Sequence, residues 1–272
     1  MTYRSFWSEI LLFLRDLVHK RDLIYDLAKR DLQSRYADSI FGMLWAFLHP
    51  IILLLILGTV FTFGLRSPSQ GDVPMIAWLG AGLAPWFFFS EALTANVVVI
   101  SQNGFLVKKI VFRVSILPVV TILAVLVSHL AFLAILCLIL ILSDVPLTLW
   151  WFQILYYWIC AAILLLGLSW LLASLYVFAK DVAQIITILL QIGFWVTPII
   201  WNIQTLPASW APYMYLNPAT YLVEGYRQSL LYGIPFWHNA WATLYYWCFA
   251  ILALGLGMWT FRKLRPHFAE VV

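Results

Sequence analysis

The sequence predicts an all-α integral membrane protein with six transmembrane helices, an N-terminal amphipathic interfacial helix and a re-entrant helical pair between spans five and six. Composition is the first reason: of 272 residues 64% are hydrophobic and 10% charged, where a soluble domain is about half apolar and a quarter charged. Mean hydropathy is +0.93. The apolar residues also gather into runs that can cross a bilayer, at about 20 residues each. Six such runs leave too little chain for a large soluble catalytic domain.

Taken in order, residues 1–41 read as cytoplasmic amphipathic and docking helices, and residues 42–272 as the six-span domain. Tyr3, Phe6, Trp7, Ile10, Leu14 and Leu17 recur at three- and four-residue spacing, with Arg4, Ser8, Arg15 and His19 on the other face. That pattern predicts a helix lying in the membrane interface. Between residues 22 and 38 charges crowd a second helical pattern whose apolar stripe is Leu23, Ile24, Leu27 and Ala28. It is either a solvated juxtamembrane helix or a docking surface for a cytoplasmic subunit. No cleavable signal peptide is expected, because the first 40 residues hold no uninterrupted apolar core ahead of a small-residue cleavage site.

The expected spans are residues 43–65, 75–99, 114–142, 149–178, 182–201 and 239–261. With the amino terminus inside, fourteen Lys and Arg fall on the cytoplasmic side and only Arg66 and Arg227 outside. This obeys the positive-inside rule and puts both termini in the cytoplasm, in a multi-pass cytoplasmic (inner) membrane protein. Residues 202–238 are too apolar for a solvated loop and are broken by Pro207, Pro212, Pro218, Gly225, Gly233 and Pro235. Two short helices dipping into the outer leaflet fit them, and such backbone survives only against protein or a water-filled cavity. Glu224 and Arg227, three apart, can pair on one helical face, as part of a gate or as a structural pair.

Several chemistries are excluded or weak. Cys137, Cys160 and Cys248 sit in apolar runs without metal-ligand or redox spacing, so they read as small hydrophobes and no metal is expected. Nucleic acid is not an expected partner. No phosphate-binding loop is present, so any ATP and its Mg must be held by a partner chain. Ser169, with His129 and His238 as the nearest bases, does not make a convincing protease, and His129 reads as an interhelical hydrogen-bonding residue. Asn217-Pro218-Ala219 is a water-channel tripeptide, but it occurs once where a channel needs two. Glu91 is the clearest intramembrane acid, and it has no chain of carboxylates around it to relay protons. The chain holds 15 Trp, 13 Tyr and 19 Phe; most serve as interfacial belt and packing, and the rest offer flat stacking surfaces to sugar rings.

Ordered markers run nearly the whole length: Gly42-Met43-Leu44-Trp45 with His49-Pro50, the stretch from Gly82 through Pro85-Trp86-Phe87-Phe88-Phe89 to Ser90, and Asn103 with Leu106-Val107-Lys108-Lys109-Ile110. Lys180-Asp181, Thr197-Pro198-Ile199-Ile200-Trp201 and Leu216-Asn217-Pro218 leading to Glu224-Gly225-Tyr226-Arg227 complete them. In these residues the chain resembles the membrane permease subunits of ABC exporters for polysaccharides and polyol phosphates, of the O-antigen, capsule and teichoic-acid type. Arg113, where many such proteins have proline, and Lys180, where arginine is usual, blur the sub-branch.

The resemblance implies a transporter subunit rather than an enzyme. It implies a homodimer with two copies of an ATP-binding ABC subunit, which holds the ATP and Mg, moving an undecaprenyl-linked glycan across the membrane. Docking to the ATPase would fall on Asp22, Asp26, Lys29, Arg30, Asn103, Lys108 and Lys109. The outer gate would involve Asn217, Pro218, Glu224 and Arg227. Arg30, Arg35, Lys108 and Lys109 are the cations available to a lipid pyrophosphate, and equally serve as topology determinants. Trp86, Phe87, Trp195, Trp201, Tyr215 and Tyr221 are the candidate conduit aromatics. A permease for a drug or simple lipid, and a polyprenyl-lipid-handling membrane enzyme, are the alternatives; the enzyme lacks a visible catalytic constellation.

Overall fold

The computed structural model describes residues 6–36, 39–64, 73–109, 112–207 and 209–272. Tyr3, Arg4, Leu65, Arg66 and Ile110 of the sequence reading lie outside the described residues, as do the side chains of residues 6–11 and 14. The described elements are helical: α1 (Phe6–His19), α2 (Arg21–Tyr36), α3 (Trp45–Thr59), α4 (Met75–Gln102), α5 (Gly104–Val107) and α6 (Leu117–Leu142) form the first half. α7 (Gln153–Phe178), α8 (Asp181–Val196), α9 (Ala211–Met214), α10 (Pro218–Arg227), α11 (Ala240–Leu264) and α12 (Phe268–Val271) form the second.

Among the described residues five helical stretches are long and apolar enough to cross a membrane: Gly42–Gly64, Met75–Gln102, Val114–Leu142, Leu149–Phe178 and Ala240–Val271. The sequence led us to expect a sixth run of that length over residues 182–201. Instead α8 is a 16-residue helix, about 24 Å long at 1.5 Å per residue, short of a hydrocarbon core about 30 Å thick. Pro198 is the reason. A proline disfavours helical geometry in the residue before it, and Thr197 is extended at φ −72°, ψ 138°.

α4 is the most enclosed of the long helices, and α3, α6, α7, α8 and α10 all touch it. Trp78, Leu79 and Leu83 of α4, Tyr157 and Leu164 of α7 and Tyr246 of α11 belong to the main core. α7 and α11 pack with their backbones in contact at Gly167 and Gly257: a Cβ at Gly257 would stand 2.0 Å from the Gly167 carbonyl oxygen. Lipid tails are as apolar as leucine, so close backbone packing takes over from the hydrophobic effect between such helices.

The basic segments gather at one end. Phe13 of α1 meets Trp170 of α7 at 5.1 Å, Arg113 pairs with Asp16, Lys180 Nζ donates to Ser101 Oγ at 3.1 Å, and Phe268 packs on Phe261. α2 rests its apolar stripe there, with Ile24, Leu27 and Ala28 against Ile116, just before α6, and Val120 in its first turn. At the opposite end Gln153 pins the segment before α11, donating to the Ile234 carbonyl at 3.0 Å and accepting from Phe236 N–H at 2.7 Å.

The α7–α11 contact gives a clean test. Gly257→Leu should lower thermal stability in detergent by about 1–3 kcal/mol or prevent folding. Gly255→Ala, whose Cβ enters open space, should leave the melting temperature within a degree or two. Size-exclusion fluorescence after a heating series reads both.

Candidate functional site

α8 stops at Thr197 inside a polar-poor bundle, which leaves carbonyls without helical partners. Arg227, at the end of α10, supplies the donors. Its Nη1 donates to the Pro198 carbonyl at 2.6 Å and its Nη2 to the Ile199 carbonyl at 2.5 Å. Nη1 also donates to Glu224 Oε1 at 2.8 Å, so the expected pair three residues apart does form. The guanidinium lies 3.4 Å from the Trp78 ring centroid, a cation–π contact in a dry setting. Gly82 makes room for it, since a Cβ there would sit 2.6 Å from Nη2. Arg227 is 1% exposed.

Asn217 adds a second tie. Its Oδ1 accepts the Ala219 N–H at 3.0 Å, capping α10, while its Nδ2 donates to Thr197 Oγ1 at 2.8 Å. Pro218 occupies the first turn of α10, where a missing N–H costs nothing. The expected gate residues therefore come together as one cluster joining the α8 break to α10 and α4.

A groove of about 800 Å³ opens between α3, α4, α6 and α8, with the end of α2 beside it. It lies within the usual range of small-molecule sites, about 300–1,000 Å³. Trp86 and Phe87 line it; Trp86 packs on Phe194 and Phe87 on His49, both at 6.1 Å between ring centroids. The other conduit candidates lie elsewhere. Trp195 is 67% exposed and its carbonyl accepts from Trp201 Nε1 at 3.0 Å. Tyr221 is buried, stacked on Tyr246 at 4.7 Å with its hydroxyl 2.9 Å from that of Tyr156. Tyr215 is half-buried against the main core.

The sequence reading did not assign Trp45, His49, Glu91, Thr187, Gln191 and Phe194 to this groove, yet they line it. The signal was in the spacing: Trp45 with His49, Phe87 with Glu91 and Thr94, and Thr187 with Gln191 and Phe194 each recur every three or four residues on one helix face. Without knowing that α3, α4 and α8 face one another, those stripes could not be joined.

The expected docking residues stand at the basic end. Asp22, Asp26, Lys29 and Arg30 are exposed on α2, and Lys108 and Lys109 are exposed beyond α5. Lys109 Nζ lies 4.8 Å above the Phe105 ring, and Asn103 Nδ2 donates to the Val99 carbonyl at 2.9 Å at the end of α4. Arg35 differs from its fellow cations. Its Nη2 donates to Asp31 Oδ2 at 2.9 Å and its Nη1 to Glu91 Oε1 at 3.3 Å. Among the described residues no group of His, Cys, Asp and Glu suits a metal ion, and His129 Nε2 bonds the Tyr226 hydroxyl at 2.9 Å as an interhelical link.

Removing one partner of a buried ion pair typically costs about 3–5 kcal/mol. Arg227→Met should therefore lower thermal stability sharply, and Arg227→Lys should not restore it, because one ammonium cannot reproduce the planar fork on two carbonyls and a carboxylate. Glu224→Gln should be milder, since the guanidinium keeps both carbonyls. Melting curves of the three purified variants order them.

Residues 23–231 match the ABC-2 type transporter family. The chain is similar to an O-antigen export system permease protein, RfbA, of Klebsiella pneumoniae, at 25% identity over 92% of this chain and 95% of that one. RfbA of Myxococcus xanthus is 28% identical over 80% of this chain and 84% of its own. The polysialic acid transport protein KpsM of Escherichia coli is 24% identical over 75% and 79%. With apolar helices fit to cross a membrane and a family match over most of its length, the chain belongs to the ABC-2 type transporter family, as a multi-pass permease component of a transporter and not an enzyme.

Proposed function

We propose that this protein is the membrane subunit of an ATP-driven exporter that moves a lipid-linked polysaccharide, of O-antigen or teichoic-acid type, across the cytoplasmic membrane. Near full-length similarity to permeases named for O-antigen export carries this reading. The aromatic groove supports it physically, because ring faces bind sugars with little demand on sequence. In this reading α8 is a fifth crossing that ends early, α9 and α10 form a re-entrant outer gate, and both termini face the cytoplasm.

A homodimer is part of the same reading. α8 buries none of its residues, and the first span is buried over only 17% of its most apolar window. A second copy across α3 and α8 would close the groove into a conduit that one bundle does not enclose. Two ATP-binding subunits would dock on α2 and on the stretch from Asn103 to Lys109, holding the ATP and Mg. Their closure would push these elements and part the two halves. The undecaprenyl pyrophosphate would be met by exposed cations, Arg30, Lys108 and Lys109, rather than by Arg35, whose charge is already shared between two carboxylates.

Purification of the tagged chain from its host membranes tests the assembly. Mass spectrometry should find an ATP-binding partner at one copy per permease, and deletion of the gene should remove a surface glycan. Reversing Lys108 and Lys109 to Glu should cut partner recovery about tenfold while permease yield and oligomeric size stay the same. Recovery of an intact, partner-free protein would remove the energy source and bring the membrane-enzyme alternative forward.

A further inference from the structure

Away from the groove, three arginines converge at the basic end. Arg113 comes from the stretch before α6, Arg262 from the last turn of α11 and Arg265 from the position just after it, and all three line a pocket of about 40 Å³. Among the described residues no acid lines this pocket; Asp16 pairs with Arg113 but is not part of the lining. Its apolar wall is aromatic. Phe13, Trp170 and Phe261 are buried there, while Arg262 and Arg265 are exposed. Trp170 meets Phe13 at 5.1 Å and Phe261 at 6.3 Å between ring centroids, and its Nε1 donates to the Ser115 carbonyl at 3.1 Å. Ser115 Oγ accepts from Arg113 Nε at 3.3 Å, so the wall and one cation are held in a fixed relation.

A cationic rim over an apolar wall fits a phosphate that carries hydrocarbon. Guanidinium groups meet phosphate oxygens in charge-assisted bonds, and the space is about three times what holds one water, enough for a phosphate group and too little for a sugar ring. The depth is also right. Lys263 Nζ lies 5.2 Å above the ring of the exposed Trp259 on the same helix end, a pairing of the kind that marks the membrane interface. Basic pockets between spanning helices at this level suit anionic headgroups. The helix dipole accounts for cations at the end of α11, but not for Arg113, which arrives from another segment. No residue lines both this pocket and the groove, and the pocket sits against α7 and α11, whose backbones touch at Gly167 and Gly257. That rigid setting suits a resident lipid rather than a passing substrate.

We propose that the pocket between α1, α7 and α11 holds the phosphate of one anionic phospholipid, resident in the leaflet at the basic end. Arg113, Arg262 and Arg265 bind the phosphate, and the aromatic wall meets the apolar part of the lipid beside it. The lipid ties α1 to the end of α11. This goes beyond the export reading and holds whatever cargo the protein moves.

Native mass spectrometry of the purified full-length chain tests this, with phosphatidylglycerol and phosphatidylcholine of the same acyl chains added in detergent. One phosphatidylglycerol per chain should be retained about tenfold more than phosphatidylcholine, the size of one charge-assisted hydrogen bond. Phosphatidylglycerol with a photoreactive acyl chain should label peptides of α1 and α11. Arg262→Gln and Arg265→Gln should each lose most of the preference. Lys263→Gln removes the same charge from the same helix end and should keep it, because Lys263 does not line the pocket. The melting temperature of Arg265→Gln in phosphatidylcholine should equal that of the native chain, which separates lost binding from lost folding.

Equal retention of the two lipids would overturn the proposal. So would a loss with Lys263→Gln as large as with Arg265→Gln, the mark of a diffuse cationic rim. Inorganic phosphate and undecaprenyl pyrophosphate, added as competitors at equal concentration, identify the source of the phosphate. Neither should displace phosphatidylglycerol; displacement by the first makes the pocket a free-anion site and by the second a substrate site, and either discards the resident phospholipid. Surface glycan in a complemented deletion strain is a separate readout. Export without selective retention discards the lipid site alone, and selective retention without export discards the export reading alone.

Discussion

Backbone carbonyls inside a bilayer have no water to fall back on, and the structure turns on how one helix break meets that constraint. α8 ends at Val196 and the chain passes through the buried residues Thr197, Pro198 and Ile199, where unpaired carbonyls cost several kcal/mol each. Arg227 answers with two carbonyl bonds, its counter-charge coming from Glu224 one helical turn away. Gly82 and Trp78 of α4 are shaped around the guanidinium. The short α8, the buried α10 and the contact of both with α4 are therefore one arrangement, in which changing any member leaves a buried polar group unpaired.

The rest of the bundle divides into a firm part and a loose part. α4, α7, α10 and α11 share the main core, and the glycine contact between α7 and α11 brings backbones together. α3 and α8 hold on more lightly, with exposed apolar faces on both. Between these lightly held helices and α4 lies the groove. On the proposed export reading, such a boundary pairs rigid helices with a seam that can open without breaking a core.

At the basic end the same division recurs at smaller scale. α2 is attached by a narrow apolar stripe on α6 and by the Arg35 bond to Glu91 of α4. Its outward face is charged and exposed, which suits the proposed docking of an ATP-binding partner. Because Arg35 of α2 and Glu91 of α4 both line the groove, α2 and the groove meet at this ion pair.

Length, composition and apolar runs were enough to read an all-helical membrane protein, five of its long spans, the two helices before them and the Glu224–Arg227 pair, because each depends on local patterning against a uniform solvent. The sequence also placed Trp86 and Phe87 among candidate conduit residues. It did not reveal that Tyr221 stacks inside the core, that α8 stops five residues before the expected end of its span, or that Arg35 is claimed by two carboxylates. Those outcomes depend on which faces meet. A stripe of Phe87, Glu91 and Thr94 is legible on one helix, but only packing brings it opposite His49 and Gln191, and only packing sets Arg35 beside Glu91 across 56 residues of chain. Sequence determined that this chain lives in a membrane and folds as helices; tertiary structure decided where its polar groups find partners, because in a medium without water a polar group is defined by its neighbour.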